Sequence, residues 1–181
     1  MIKLVILDRD GVINSDSTEY IKSPEEWHAI PGSLDAIARL NKAHIKVAVA
    51  TNQSGIARGL YDLNMLEKIH AKMILELKKS GGFFDAIFFC PHHPDEHCEC
   101  RKPKPGLLLQ ISQYLNINLS DSVMIGDAKR DMEAAITAGA KGILIHHTKK
   151  ILFPDRDIPV FADLSQAVDA ILNNDLQAYL S

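Results

Sequence analysis

The stretch Leu4-Val5-Ile6-Leu7-Asp8-Arg9-Asp10-Gly11-Val12-Ile13 contains an apolar run that ends at two carboxylates one residue apart. Four consecutive apolar residues, followed shortly by a glycine, predict a parallel strand that is buried on both faces. Because side chains alternate along an extended segment, Asp8 and Asp10 point to the same side just beyond that strand. Two carboxylates in one small volume repel each other, and a cation such as Mg²⁺ or an unequally held proton relieves the repulsion. The ordinary alternative is a strand end followed by an Asp-Gly turn.

Beyond this stretch, apolar strand-like runs alternate with helical periods along the chain. This alternation predicts an α/β fold with a Rossmann-like, doubly wound, mostly parallel sheet, and the 181 residues suit a single domain. We expect further strands at 46–50, 84–89, 122–125, 141–146 and 160–161. We expect helices that begin at Ser33 and Ser165, span 62–80 and 131–138, and carry Leu107 to Leu115, with Ser33 as an N-cap.

The composition is that of a globular protein, with 46% hydrophobic and 24% charged residues. A formal net charge of −3 gives no broad basic field for nucleic acid or an anionic membrane, so we expect a small-molecule partner. We also expect a monomer. No apolar run reaches the roughly 18 residues that a membrane span needs. The first strand follows Met1-Ile2-Lys3 without a secretory leader, which predicts a cytoplasmic location.

All three cysteines of the chain fall within residues 90–100, together with three histidines and two prolines. Thiolates and an imidazole at this spacing predict a tetrahedral Zn²⁺ site with Cys90, His92, Cys98 and Cys100 as ligands. We choose His92 because the Cys-x-His spacing puts both side chains on one side of an extended segment. Four protein ligands leave no open position, so the zinc is expected to be structural. The alternatives are three reduced thiols on a surface loop or a nucleic-acid knuckle, and the acidic balance disfavours the latter.

A basic turn, Arg101-Lys102-Pro103-Lys104, follows the last cysteine directly and precedes a helix. Cations beside a helix start suit an anion such as a phosphoryl group. A solvated turn is the ordinary alternative for such a charge run. The neighbouring metal loop favours the first interpretation, because a metal clip would fix the positions of Arg101 and Lys102.

The strand predicted at 122–125 ends at Gly126-Asp127. Asp127 therefore lies at a strand end, as Asp8 does, and both can bind one hard cation that prefers oxygen ligands. For Asp131 we favour a supporting role in the first turn of the next helix over metal binding. The pair His146-His147 is interpreted as an exposed loop, because no cysteine or carboxylate accompanies it.

Together, these strand ends predict phosphoryl transfer. An in-line attack by Asp8 would form an aspartyl phosphate and split one slow hydrolysis into two easier steps. Mg²⁺ between Asp8 and Asp127 would neutralise charge that repels a carboxylate nucleophile. Asp10 would protonate the leaving alcohol and then accept a proton from the hydrolytic water.

Other strand ends supply the groups that would bind the phosphoryl oxygens. Lys102, with Arg101 beside it, would add positive charge, and Thr51 would donate a hydrogen bond. The amide of Asn52 would contact either the phosphate or the rest of the substrate. A non-enzymatic phospho-acceptor module is the alternative from a different class, but it does not require an aspartate two residues beyond the acceptor.

Four stretches resemble, in order along the chain, the motifs of the haloacid dehalogenase superfamily of phosphatases: Asp8-Arg9-Asp10-Gly11-Val12-Ile13, Thr51-Asn52, Lys102 and Gly126-Asp127. Residues 51–59 and 90–94 are similar to the zinc-loop group of that superfamily, which acts on heptose 1,7-bisphosphate and histidinol phosphate. The resemblance implies one capless phosphatase domain over residues 1–181, with the zinc loop 90–100 inserted after the third strand. It also implies structural Zn²⁺ and Mg²⁺ bound by Asp8, Asp10 and Asp127.

The resemblance further implies removal of the C7 phosphate of a heptose 1,7-bisphosphate in nucleotide-heptose synthesis. It implies that the following residues contact the phosphorylated sugar: Asp16, Tyr20, Asn52, Gln53, Ser54, Arg58, Arg101 and Lys102. Arg58 favours a bisphosphate over histidinol phosphate, because a second dianion needs a cation.

This sequence departs from the pattern of the related phosphatases at two places, and these differences leave the substrate and its anomer open. Five residues separate His92 from Cys98, a short loop that is similar to the histidinol-phosphate enzymes. Ala128 follows the motif aspartate where relatives often have lysine, so that contact is either missing or supplied by Lys129.

Overall fold

The computed structural model describes residues 1–145 and 158–176. Their strands form one six-stranded sheet in the order β3-β2-β1-β4-β5-β6, and all neighbouring strands are parallel. The strands are β1 (Leu4–Leu7), β2 (Lys46–Asn52), β3 (Ala86–Cys90), β4 (Ser122–Gly126), β5 (Lys141–Ile145) and β6 (Val160–Phe161). The doubly wound, Rossmann-like sheet that the sequence predicts is therefore confirmed.

Helices cover both faces of this sheet. They are α1 (Ser33–Lys42), α2 (Leu63–Lys79), α3 (Gly106–Leu115), α4 (Lys129–Ala138) and α5 (Leu164–Leu172). The apolar core on one face includes residues of α1, α2 and α5, and the core on the other includes residues of α3 and α4. None of the helices among the described residues is long and apolar enough to cross a membrane.

Strand β1 shows why the sheet lies in the centre of the molecule. Val5 and Leu7 pack into the core on one face and Leu4 and Ile6 into the core on the other, and all four side chains are fully buried. This is the alternation expected of a central strand that has helices on both sides. The register aligns Leu7 with Val49 of β2 and Ile125 of β4, so the three strands end at one edge.

Several predicted boundaries differ from the structure by one or two residues. Strand β2 extends through Thr51 and Asn52, and β3 ends on Cys90, which pairs with Asn52. Ser33 is not the N-cap of α1: Gly32 occupies that position with φ +82°, and the Ser33 hydroxyl instead donates to the Ile13 carbonyl at 2.7 Å. The pair His146-His147 lies outside the described residues.

The crevice for a ligand follows from the strand order. The chain leaves β1 toward β2 and β3 and later returns to β4 on the other side, so the order reverses beside β1. Open parallel sheets bind ligands at such a reversal, outside the carboxyl ends of the strands. Between β1 and α1 the helical structure is limited to the short 3-10 turn Pro24–Glu26, in agreement with a capless fold.

Candidate active site

A buried carboxylate–lysine cluster lies where β1 and β4 end, and it consists of Asp8, Lys102, Asp127 and Asp131. Lys102 Nζ lies 3.0 Å from Asp8 Oδ1 and 2.7 Å from Asp131 Oδ1. It also donates a hydrogen bond to the Ala50 carbonyl at 2.7 Å. Lys102 is 1% exposed, so this cation exchanges water for two carboxylates and a carbonyl.

Burial shifts the titration of the cluster. It raises the pKa of Asp8 to about 7, against the opposing charge of Lys102 and together with the charges of the neighbouring carboxylates. Burial, and then the charge of Asp131, raise the pKa of Asp127 to about 6. For Lys102 burial lowers the pKa, but Asp131 and Asp8 outweigh it, so the pKa of Lys102 is raised overall. The carboxylates exceed the cations in this volume, and a further cation would relieve the imbalance.

The oxygens of Asp8, Asp127 and Asp131 fit a hard metal ion. One oxygen from each lies within 4.8 Å of the others. Asp127 Oδ1 is buried and has no hydrogen-bond partner among the described residues. Gly11, with φ +82°, makes room for this carboxylate, since a Cβ there would lie 2.1 Å from Asp127 Oδ2. An unpartnered buried carboxylate oxygen next to two others is suited to Mg²⁺.

The carboxylate of Asp10 is held by partners outside this cluster. Its Oδ1 accepts hydrogen bonds from Arg9 Nε at 3.0 Å and Asn14 Nδ2 at 2.9 Å. Its Oδ2 accepts from Arg9 Nη2 at 3.1 Å and Gln53 Nε2 at 3.0 Å. The structure therefore does not bring the Asp10 side chain among the predicted magnesium ligands. Asp131 takes the third place in the group of carboxylates.

Asp131 also supports its surroundings, as the sequence suggests. Its Oδ2 accepts a hydrogen bond from the Ala128 main-chain N–H at 3.1 Å, which caps the start of α4. Its other oxygen pairs with Lys102. The side chain is fully buried, so it links the first turn of α4 to the lysine.

The end of β2 contacts the basic turn rather than leaving its polar groups free. Asn52 Nδ2 donates to the Lys102 carbonyl at 3.0 Å, and the Lys102 N–H donates to Asn52 Oδ1 at 3.1 Å. This reciprocal pair uses the amide that the sequence assigns to phosphate or substrate. Thr51 is 1% exposed and accepts a hydrogen bond from Gln53 Nε2 at 2.9 Å, which leaves its hydroxyl hydrogen for another acceptor.

A cavity of about 200 Å³ opens beside Asp8 and Asp10. The predicted substrate residues Asp16, Tyr20, Asn52, Gln53, Ser54 and Arg101 line it, together with Arg130. Sequence reasoning missed Arg130, whose guanidinium pKa is raised because Asp131, Asp8 and Asp127 outweigh the effect of burial. Lys129 does not supply the missing lysine contact, since its Nζ lies 3.3 Å from Glu133 one turn along α4. Arg130, one position further along the helix, lines the cavity instead.

Arg58 lies at the rim of this cavity. It is exposed, and its guanidinium carbon lies 6.0 Å from the ring centroid of Tyr20, which lines the cavity. This is a cation–π distance. The structure thus places Arg58 outside the cavity wall but next to one of its lining residues.

The Cys/His loop, residues 90–100, gathers the four predicted zinc ligands. His92 Nδ1 lies 3.5 Å from Cys90 Sγ and 3.3 Å from Cys100 Sγ. Cys98 Sγ lies 3.5 Å from Cys90 Sγ and 3.6 Å from Cys100 Sγ. These are four of the six edges of a tetrahedron, and a regular tetrahedron with edges of about 3.5 Å has its centre about 2.1 Å from each corner, close to zinc–nitrogen and zinc–sulfur distances. The loop therefore fits Zn²⁺.

The other histidines of the Cys/His loop have different roles. His93 Nδ1 accepts a hydrogen bond from the Asp95 N–H at 3.3 Å, and the His93 N–H donates to Glu96 at 2.6 Å. His97 ends the turn with φ +50°, and its carbonyl accepts a hydrogen bond from Lys104. The choice of His92 from the spacing agrees with this geometry.

The site and the sheet define the class of this protein. A family model described as HAD-hydrolase-like matches residues 99–152, which include the basic turn and Asp127. The L-2-haloacid dehalogenase of Xanthobacter autotrophicus has the same fold, with a TM-score of 0.64 at 14% identity over 95% of this chain and 99% of that one.

More similar relatives define the family. The D-glycero-β-D-manno-heptose-1,7-bisphosphate 7-phosphatase of Pseudomonas putida is 51% identical over 168 residues, which cover 91% of this chain and 96% of that protein. The crystal structure of the D,D-heptose 1,7-bisphosphate phosphatase of Bordetella bronchiseptica, in complex with magnesium and phosphate, has a TM-score of 0.90 and 45% identity. It covers 96% of this chain and 99% of that one. The chain belongs to the family of heptose-1,7-bisphosphate 7-phosphatases within the haloacid dehalogenase-like hydrolases.

Proposed function

We propose that this protein hydrolyses the C7 phosphate of D-glycero-β-D-manno-heptose 1,7-bisphosphate. The observation that carries the proposal is the buried carboxylate–lysine cluster at the floor of a polar cavity. The named activity of the relatives supports the substrate, including its β anomer. The cavity of about 200 Å³ suits one phosphoryl group and part of a sugar, with the remainder of the substrate at the rim.

In the first step, Asp8 is the nucleophile. Its Oδ1 is engaged by Lys102 and by the Arg9 N–H at 2.7 Å, whereas Oδ2 has no hydrogen bond within the described residues. Oδ2 attacks phosphorus, the bond from phosphorus to the C7 oxygen breaks, and the leaving oxygen takes a proton from Asp10. Lys102 stabilises the negative charge that Asp8 and the phosphoryl group bring together.

In the second step, the aspartyl phosphate is hydrolysed. A water molecule attacks phosphorus, Asp10 accepts its proton, and the bond between phosphorus and Asp8 breaks to release inorganic phosphate and the free carboxylate. Asp10 thereby regains the proton that it gives to the leaving oxygen in the first step, and the four donors around its side chain hold it in place. Thr51 donates its hydroxyl hydrogen to a phosphoryl oxygen in both steps.

Asp8 and Asp127 are the proposed ligands of Mg²⁺, with Asp131 beside them. The buried and unpartnered Asp127 Oδ1 supports this assignment. When bound, the ion neutralises charge on the carboxylates and the phosphoryl oxygens and lowers the repulsion between them. We assign Zn²⁺ to Cys90, His92, Cys98 and Cys100, where four protein ligands make it structural.

Cations on the cavity wall and rim select the substrate. Arg101 and Arg130 line the cavity and are proposed to bind the transferred phosphoryl group or the sugar next to it. Arg58, beside Tyr20, is proposed to bind the second phosphate, which a bisphosphate carries and histidinol phosphate does not. The short zinc loop favours histidinol phosphate, but relatives at 45–52% identity are named heptose bisphosphatases. The single-domain organisation, monomeric state and cytoplasmic location stay predictions.

Phosphate release tests this proposal. The purified protein with Mg²⁺ is given the α and β anomers of heptose 1,7-bisphosphate and histidinol phosphate, and phosphorus NMR identifies which phosphate leaves. We expect the highest kcat/KM with the β anomer, loss of the C7 phosphate alone, and no turnover by Asp8→Asn. A preference for histidinol phosphate would overturn the substrate, and full activity of Asp8→Asn would overturn the mechanism.

A further inference from the structure

Arg9, between the two motif aspartates, is a fully buried cation. It forms a bidentate pair with Asp10, donates from Nη2 to Gln53 Oε1 at 3.3 Å, and lies with Nη1 3.4 Å from His70 Nε2. Arginine has no acceptor, so this nitrogen of His70 accepts the hydrogen bond. Burial, and then the charge of Arg9, lower the pKa of His70 to about 4, which keeps the ring neutral as that role requires.

Gln53 uses all of its hydrogen-bonding capacity inside the protein. Its Oε1 accepts from Arg9 and from the Tyr61 hydroxyl at 2.5 Å. Its Nε2 donates to Asp10 at 3.0 Å and to Thr51 at 2.9 Å. A side-chain amide has two donor hydrogens and two acceptor positions, and all of them are taken. Although Gln53 lines the cavity, its amide has none left for a substrate.

The orientation of the Gln53 amide is fixed by its neighbours. A flipped amide would turn its NH₂ group toward the donors of Arg9 and its oxygen toward the carboxylate of Asp10. Both contacts are unfavourable, and the side chain is 3% exposed, so water cannot replace the lost hydrogen bonds. The bridge therefore holds Asp10 and the Thr51 hydroxyl in one relative geometry.

Tyr61 anchors this bridge from outside the catalytic cavity. It is 8% exposed, and its ring packs so closely on Gly55 that a Cβ there would lie 2.2 Å from the ring. It is not among the residues that line the cavity with Asp8 and Asp10. Its hydroxyl donates the hydrogen bond that joins it to Gln53.

We propose that Gln53, held by Arg9 and Tyr61, is a positioning residue that orients Asp10 and Thr51, and that its side chain is not a substrate ligand. The inference rests on the proposed phosphatase function. It assigns to residues behind the site the alignment on which both proton transfers depend. Misplacing a reacting group by a fraction of an ångström lowers the rate without removing a binding contact.

The test compares Gln53→Met, Tyr61→Phe and the control Tyr114→Phe, whose ring is exposed on α3, with wild type. Substrates are the heptose bisphosphate and glycerol 3-phosphate, which has no sugar but has an alkyl leaving oxygen that also needs a proton from Asp10. We expect kcat to fall about 10- to 100-fold for Gln53→Met and about 3- to 10-fold for Tyr61→Phe with both substrates, with KM within about twofold. Tyr114→Phe should match wild type, and thermal unfolding should show that all variants are folded.

A substrate ligand would behave differently. Gln53→Met would then raise KM for the heptose bisphosphate, leave glycerol 3-phosphate unaffected, and have no counterpart in Tyr61→Phe. That result would overturn the positioning role while leaving the phosphatase function intact. Absence of phosphate release by wild type from both substrates would instead count against the proposed function itself.

Discussion

The carboxylate–lysine cluster and the Cys/His loop are neighbours in space, yet different interactions hold them together. In the cluster, Lys102 is fully buried between Asp8 and Asp131, and its order depends on the strands and helices that bring those residues together. In the Cys/His loop, the four ligand atoms converge between segments that are mostly exposed or half-buried. The cluster therefore depends on the folded sheet, whereas the loop would depend on the proposed zinc ion.

The two regions meet at residues 101 and 102. Arg101 donates a hydrogen bond to the His92 carbonyl at 3.4 Å, and Lys102 belongs to the cluster. The proposed zinc ion would therefore fix the start of the segment that carries Lys102. Lys102 is therefore held by the cluster on one side and by the segment that follows the Cys/His loop on the other, and each side can be weakened separately.

Lys102→Met removes the ammonium group of the carboxylate–lysine cluster and is expected to have the largest effect. Without the ammonium group, buried carboxylates face each other with no cation, which should cost about 3–5 kcal/mol of unfolding free energy. The loss of charge stabilisation should lower kcat by about 10³-fold. Urea unfolding and phosphate release measure the two effects.

Lys104→Met is the matched control for that variant, because the Lys104 side chain is 41% exposed and contacts Glu99 and the His97 carbonyl of the Cys/His loop rather than the cluster. Its unfolding free energy should stay within about 0.5 kcal/mol of wild type. Equal effects of the two substitutions would mean that Lys102 is an ordinary surface cation.

Removal of zinc tests what holds the Cys/His loop together. The structural ion is expected to contribute on the order of 10 kcal/mol to ordering its ligands, so a strong chelator should disorder the Cys/His loop. Because residues 101 and 102 follow the loop, kcat should fall about 10- to 100-fold. Hydrogen exchange over residues 90–104 and phosphate release after dialysis check this prediction.

Metal add-back separates the two ions. Mg²⁺ alone should leave the zinc-depleted protein at low activity, and Zn²⁺ followed by Mg²⁺ should restore it. Full activity with Mg²⁺ alone and no change in exchange would show that the loop orders itself.

Asn52→Ala tests the contact between β2 and the basic turn. It removes both hydrogen bonds to the Lys102 main chain, each about 1 kcal/mol, while leaving the Lys102 ammonium in place. We expect kcat to fall about tenfold with a small change in KM, since a positioned lysine is loosened. A rise in KM alone would mean that the amide binds substrate, as the sequence first suggests.

Arg130→Met is expected to have the smallest effect. Its guanidinium lines the cavity at the edge of the cluster, so its removal should raise KM by several-fold and change kcat little. Lys129→Met is the control, because that side chain pairs with Glu133 and is mostly exposed. Equal KM values for the two variants would remove Arg130 from the substrate site.

Local patterns in the sequence predict much of this site. Asp8 and Asp127 end apolar runs, and parallel strands place such ends at one edge. The zinc ligands lie within residues 90–100, so their convergence needs little knowledge of the fold. Boundaries such as the end of β2 differ because the pairing of Asn52 with Cys90 depends on a neighbouring strand.

The remaining features depend on contacts between distant parts of the chain. Arg9 is a charged residue whose complete burial is visible only once Gln53 and His70 lie around it. Arg130 was hidden because the spacing of charges on a helix does not tell which one faces a cavity. A motif containing Asp8 and Asp10 could still have raised the question of what partners the arginine between them.

The most direct test of the central claim is to trap the covalent intermediate. The enzyme is mixed with substrate, quenched in acid within milliseconds, and digested for mass spectrometry. The account predicts that the peptide containing Asp8 gains the mass of a phosphoryl group on that residue, and that Asp8→Asn gains none. Phosphate release at the normal rate without any phosphorylated Asp8, or with the label on another residue, would contradict it.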